Sequence, residues 1–332
     1  MLYYPNIPFA IFQIIKAKNW VFYTAANPSI ENAGIGTESK YYTQQLLPSE
    51  YLPKTIFHLG NSDIYKTIQD VKKNQIKFPL IAKPDVGFRG LLVKKIETED
   101  QLISYLEKYP IDILVQEFLT EENECGIFYH RFPNNKKGKI SSITLKKFLH
   151  VVGNGESTLD QLIKNDARAK LYIKHIKQNT SFCLDVIIDK GEEVKLSLIG
   201  NHSKGTQFIN GNHLISKELE KTINQLNQKI NGWYYGRLDI KYNSLEDLEK
   251  GDFKILELNG ILAEPTHIYD THKTTYWQAL KAMRTHWKLL AKISRMNHDH
   301  KSIPYQSTKK LIYDLIQLKK YTNRIAQLSN DH

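Results

Sequence analysis

The chain has 332 residues, 41% hydrophobic and 24% charged, a balance that excludes a disordered polymer or a collagen-like repeat. Lys and Arg number 46 against 35 Asp and Glu, and the formal net charge of +11 points to an anionic partner: nucleic acid, a membrane surface or a small molecule. No run approaches the roughly 20 apolar residues of a membrane span, and Cys125 and Cys183 are too few and ill-spaced for a disulfide scaffold or a zinc knuckle.

Residues 1–38 form an apolar, aromatic opening segment (Phe9, Phe12, Trp20, Phe22, Tyr23) that ends in a turn-rich stretch. Its run 7–15 is broken by Gln13, and Lys16 and Lys18 follow it rather than precede it. That is the reverse of a signal peptide's layout, so a cytoplasmic chain is expected. A short helix follows Ser39-Lys40. Residues 78–84 read as a buried strand, 85–90 as a glycine-bearing loop and 91–93 as the next strand. Thr98 with Gln101 three residues on has the spacing of a capping box, ahead of a helical face of Leu102, Ile103 and Leu106. A β-run follows at 111–119. From Gly126 strands dominate: 126–129, 140–148, then a turn at 151–158 leading into a capped helix, and a hairpin of 184–188 with 194–199. Residues 219–230 are helical, 234–241 and 253–258 are strands, and 274–293 and 308–328 are two amphipathic helices. The first hundred-odd residues alternate strand and helix, an α/β or α+β signature. Natural divisions fall at 1–38, 39–115, 116–270 and 271–332.

Three groups of residues carry chemistry. The first is Arg237-Leu238-Asp239 with Glu257-Leu258-Asn259. On a strand Glu257 and Asn259 share one face with Ile255, while Leu256 and Leu258 point away. A carboxylate turned inward among Ile and Leu must be paired or metal-bound, because burying it alone is too costly. Two carboxylates and an amide oxygen make a hard ligand set suited to Mg²⁺; the ordinary alternative is an ion pair of each acid with a neighbouring Lys or Arg. The second group is Lys83 with Gly87-Phe88-Arg89-Gly90. Its glycines let backbone N–H groups approach phosphate, although it is neither a Walker loop nor a dinucleotide fingerprint, and a plain glycine hairpin would look the same. The third is the β-run with Gln116, Glu117, Phe118 and Leu119, then Glu124: backbone groups for a base edge and an acid for ribose hydroxyls.

Taken in order, Lys40, Lys83, the glycine loop, the β-run with its trailing acid, Arg-x-Asp and Glu-x-Asn resemble the ATP-grasp superfamily over residues 36–265. The resemblance implies an ATP-grasp fold of two α+β lobes sandwiching a nucleotide, here with a shortened N-terminal segment and a helical C-terminal tail. It implies that Lys40 and Lys83 contact phosphates and base edge, that Gly87 to Gly90 cover the phosphates, and that Gln116 to Leu119 form the adenine hinge, with Glu124 on the ribose. Asp239, Glu257 and Asn259 would hold two Mg²⁺ ions, Mn²⁺ being able to substitute, and Arg237 would face the transferring phosphoryl group. Residues 151–159 are similar to a segment of cyanophycin-synthetase-like ligases, and the chain looks closest to the branch holding them and D-alanine–D-alanine ligases. Fewer than 40 residues precede Lys40, and the His-Gly…Gly-Glu-Asp motif of true D-alanine–D-alanine ligases is absent.

The activity implied is ATP-dependent joining of a small-molecule carboxylate to an amine through an acyl phosphate. Lys204 could reach the γ-phosphate and His202 could accept the amine's proton. The segment 264–267 would line the acceptor pocket or form a plain turn. Rival readings are a kinase of the same fold that releases a phosphorylated product, and a basic protein binding nucleic acid or anionic lipid beside a vestigial nucleotide site. Base-reading motifs are lacking, so nucleic acid is not an expected partner.

Overall fold

The computed structural model describes residues 4–87, 90–174, 176, 183–197 and 200–330. It divides into two compact units, Met1–Leu145 with Asn210–His332, and Lys146–Ile209. The first begins with helix α1 (Ile7–Ala17), opened by a proline in its first turn and closed by Lys18 in the left-handed conformation. Helix α2 (Lys40–Gln44) is short and is started by Ser39, whose hydroxyl accepts the N–H of Tyr42.

A four-stranded antiparallel sheet follows, with β1 (Thr55–His58), β2 (Leu80–Pro84), β3 (Lys94–Ile96) and β4 (Ile113–Glu117) in the order β1-β4-β2-β3. Helices α3 (Ile64–Lys73) and α4 (Glu99–Lys108) are capped by Asp63 and Thr98. They close one face of this sheet over Leu80, Ala82, Ile96, Ile113 and Val115. The expected strand at 91–93 is instead a turn: Leu92 takes a left-handed φ of +57°, which no strand can contain, and pairing resumes only at Lys94.

Strands β5 (Asn123–His130) and β6 (Lys139–Lys147) form an antiparallel hairpin. The chain then builds the second unit from β7 (His150–Val152), helix α5 (Leu159–Asn165) and β8 (Glu193–Lys195), after which β9 (Gln207–Asn210) adds the edge strand beside β6. Leu149, Val151, Leu159, Ile163, Ile188 and Leu196 make its core. The expected hairpin between 184–188 and 194–199 does not form. β8 pairs with β7, and Ile187 makes a single bridge to Thr158. The turn after Asp189 is turned toward the glycine segment instead, where Gly191 N–H donates to Gly153 O at 2.9 Å. Residues 198–199 of that expected strand lie outside the described residues.

Back in the first unit come α6 (Lys217–Lys229), β10 (Tyr235–Tyr242), α7 (Leu245–Lys250) and β11 (Lys254–Asn259). β10 pairs antiparallel with β5 on one side and β11 on the other. One face of this second sheet is apolar: Cys125, Ile127, Tyr129, Leu238, Ile240 and Leu258 pack against Leu219, Ile223 and Leu226 of α6 and Leu248 of α7. Ile255 belongs to this core as well, not to the face of Glu257. The register runs Asp239↔Glu257 but Ile240↔Ile255, so Leu256 is an extra residue, a β-bulge that resets the alternation. The chain ends in α8 (Tyr276–Lys301), started by a Thr275–Gln278 capping box, and α9 (Thr308–Asn330), whose Ile325 reaches the core of the first sheet. Among the described residues no helix is long and apolar enough to cross a membrane.

Candidate active site

The polar face of the second sheet is built by register. Strand alternation places Tyr235, Arg237, Asp239 and Lys241 on one side of β10, opposite His130, Phe128, Gly126 and Glu124 of β5. On the other flank Asp239 faces Glu257, and Arg237 faces Asn259. Arg237 grips Asp239 as a fork, Nε to Oδ1 at 2.6 Å and Nη2 to Oδ2 at 3.1 Å, while Nη1 donates to the Glu264 carbonyl at 3.3 Å. Burial works against the guanidinium's charge, yet Asp239, with Glu257 and Glu124, outweighs it and raises the Arg237 pKa. Room for the fork depends on Gly126. A Cβ there would stand 2.8 Å from Arg237 Cδ and 3.3 Å from Asp239 Oδ1. Nothing in the sequence marked this glycine, because the contact joins residues more than a hundred positions apart.

The first sheet supplies two lysines. Lys83 projects from β2 on the face away from that sheet's core and donates to Gln116 Oε1 at 3.0 Å; Gln116 Nε2 passes the chain on to Thr55 Oγ1 at 2.8 Å. Burial lowers the Lys83 pKa to about 8, and the carboxylates of Glu257 and Glu124 pull the other way. Lys40 opens α2, where the N–H groups of Lys40 and Tyr41 are held by the carbonyl and side chain of Asp85 at 3.3 and 2.8 Å. Its ammonium donates to Gly87 O at 2.9 Å and lies 3.7 Å from Glu257 Oε1. Gln44, at the other end of α2, donates to the bulge carbonyl of Leu256 at 3.1 Å. This one turn of helix thereby ties the glycine loop to the strand bearing Glu257. Gly90 closes the loop at a left-handed φ of +68°; Phe88 and Arg89, both expected to contact phosphate, lie outside the described residues.

Residues 37–130, which contain both lysines, the loop and Glu124, match the RimK-like ATP-grasp domain. The chain carries an ATP-grasp domain. The matched segment belongs to a chain of mixed helix and sheet with a helical C-terminal segment. Structural similarity extends to D-alanine–D-alanine ligase from Bacillus anthracis (16% identity, 82% of this chain, 72% of that chain, TM-score 0.45). VanG D-Ala:D-Ser ligase from Enterococcus faecalis is similar at 12% identity over 80% of this chain and 63% of that one, with a TM-score of 0.45. The bifunctional glutathione synthetase from Pasteurella multocida gives 14%, 75%, 36% and 0.40 on the same measures. No curated protein matches the chain significantly.

Within the matched segment the side chains of the expected hinge are committed to other partners. Gln116 is committed to Lys83, Glu117 Oε1 accepts the Lys54 N–H at 2.8 Å, and the Phe118 ring lies under the Lys95 ammonium at 5.0 Å. Leu119 and Glu124 are buried. Glu38 was missed in the sequence. Burial raises its carboxyl pKa, its oxygen accepts the Gly36 N–H at 2.6 Å, and it acts electrostatically on both Lys40 and Glu257. His202 and Lys204 belong to the second unit, on a single 3-10 turn started by Asn201. Burial lowers the pKa of each, and Arg168 lowers that of His202 further.

Among the described residues no cluster of three or more His, Cys, Asp or Glu side chains is placed to hold a metal ion, so a cation site here rests on two acids and an amide. The donor set fits a hard divalent cation. Asp239 and Glu257 are direct register partners, and Asn259, opposite Arg237 on the same face, adds an amide oxygen to the two carboxylates. Each carboxylate also has a cation of its own, Arg237 for Asp239 and Lys40 for Glu257.

Proposed function

We propose that the protein is an ATP-dependent carboxylate–amine ligase acting on amino-acid or peptide-like substrates. In this reading residues 39–115 serve as the small lobe and 116–270 as the large lobe around the nucleotide. The observation that carries it is the meeting of Lys40, on the one-turn helix tied to the glycine loop, with Glu257, beside the Arg237–Asp239 fork on β10.

Asp239, Glu257 and Asn259 would hold Mg²⁺, which when bound neutralises phosphate charge and orients the triphosphate. A cation held by those oxygens would leave the ammonium of Lys40 and the guanidinium of Arg237 for phosphate and acyl oxygens. Lys83 adds charge from the first sheet. The substrate carboxylate attacks the γ-phosphorus and ADP departs; the amine then attacks the acyl carbon and phosphate departs. The proton released from the amine goes to a base as the C–N bond closes. The hydrogen bond of Arg237 to the Glu264 carbonyl supports the segment 264–267 as the candidate acceptor lining. No protein nucleophile is required, because positioning and fixed charge supply the catalysis.

The test is a panel of amino acids and short peptides scored for substrate-dependent ADP release with Mg²⁺, with hydroxylamine added in parallel. Hydroxamate formation is the expected outcome. ADP release with a stable phosphorylated product and no hydroxamate would make the protein a kinase instead.

A further inference from the structure

Helix α1 keeps a second apolar stripe on the side turned away from its own protein. The side turned inward carries Asn6, Ala10 and Gln13, all buried, with Gln13 at 4% exposure. Asn6 is held there by the Arg284 Nε–H at 2.9 Å. Phe9 and Ile14 are half-buried, but four large apolar side chains point out: Ile7, Ile11 and Ile15, spaced by four, with Phe12 beside them, and Ile15 is 67% exposed. Tyr4 and Trp20 extend the stripe at either end, Trp20 at 74% exposure. Six large apolar residues within seventeen positions are more than ordinary scatter on a soluble surface.

Along residues 4–30 the charge has one sign. No acidic residue precedes Glu31, while Lys16 and Lys18 follow the stripe directly. A cleft of about 640 Å³ opens at the C-terminal end of α1, walled by Lys16, Lys18, Arg295 and His298, with Asp299 as its one acid. The whole chain carries a net charge of +11, which opposes pairing with a second copy and favours an anionic surface.

We propose that α1 docks the protein on an anionic lipid bilayer, lying in the interface with its isoleucines, Phe12 and Trp20 in the acyl boundary and its lysines at headgroup phosphates. An apolar stripe without acids, ended by an exposed tryptophan and two lysines, is the pattern of an interfacial helix. The proposal is independent of the ligase reading, since none of these residues lies in the nucleotide site.

The experiment is co-sedimentation of the full chain with phosphatidylcholine vesicles, with and without phosphatidylglycerol. Binding is expected with phosphatidylglycerol alone, falling as salt rises. Ile11→Glu with Ile15→Glu should lower it at least tenfold, and Lys16→Ala with Lys18→Ala by roughly fivefold for each lysine. Both pairs are exposed, so circular dichroism and thermal melting should stay those of the parent. Quenching of the parent's tryptophan emission by brominated lipid tests the same docking without any variant. No sedimentation with anionic vesicles, or equal binding by the Ile11→Glu/Ile15→Glu variant, would overturn the proposal. So would a dimer in sedimentation velocity that Ile15→Glu dissolves, because the stripe would then be covered by a second copy.

Discussion

Arg237 and Asp239 are two residues apart on one strand face, and each satisfies the other's buried charge. Replacing Arg237 with Ala removes the donor proposed for the acyl oxygen. Turnover should fall by a factor of about 10²–10³, as for other oxyanion donors, with nucleotide-analogue binding largely kept; steady-state ADP release beside a nucleotide titration measures both. Arg237→Lys should not restore the rate, because an ammonium cannot reproduce the two-pronged grip. Gly126→Ala is a quieter test of the same geometry. The added methyl would crowd Arg237 Cδ, so activity should drop while overpacking costs the fold about 1–3 kcal/mol, read by thermal melting. Lys83 carries a pH signature, since its folded pKa of about 8 lies below the ordinary lysine value of 10.5. Between those values the unfolded chain binds more protons than the folded one, so Lys83 makes stability rise with pH across that window. Nucleotide affinity should move the other way, weakening above about pH 8 as the ammonium is lost. Lys83→Met should flatten both trends in titrations from neutral to alkaline pH.

At the scale of single elements, local signals were read well. The helix after the 151–158 turn is capped as expected, and its cap is a reciprocal box, with the N–H of Gln161 at 3.3 Å from Thr158 Oγ1 and the N–H of Thr158 at 2.9 Å from Gln161 Oε1. Thr158→Ala should destabilise α5 by about 1 kcal/mol, seen as roughly fivefold faster amide exchange through that helix. Thr98 caps α4 as expected, but Gln101 turns its side chain to the Glu97 N–H rather than closing the box. Period-two reading of β11 put Glu257 and Asn259 on one face correctly and Ile255 on the wrong one. A bulge is invisible to alternation, because it is caused by the partner strand and not by the residues it contains. The strand expected at 91–93 failed for a related reason. Leu and Val favour strands, yet the chain must turn there to bring β3 back beside β2.

Over the whole molecule, the polar face of the second sheet continues from Arg237 to Tyr235 and His130, and α8 adds His286 against the Tyr235 hydroxyl at 3.3 Å. Burial, reinforced by the neighbouring His267 and His130, lowers His286 to about 3, and burial with Lys139 lowers His130 to about 4. An unfolded chain would take up protons at these histidines near pH 6.5, and the folded one would not. Stability should therefore fall as pH drops from about 6.5 toward 4. Thermal unfolding across that range should show the slope, and His286→Gln should reduce it.

The order of lysines, glycine loop and β-run was enough to point to the ATP-grasp domain at residues 37–130, because chemistry-bearing residues at strand and loop positions survive in a linear reading. Capped helices and most strands were legible too, since caps and periodicity act over a few residues. What only the tertiary structure decided are the contacts between distant segments. These include Lys40 against Glu257, Gly126 making room for the guanidinium, Gln116 committed to Lys83, and β8 paired with β7. The outward turn of α1's isoleucines belongs with them. Amphipathic spacing says that a helix has two faces, and only its packing on α8 says which of them is left to the solvent.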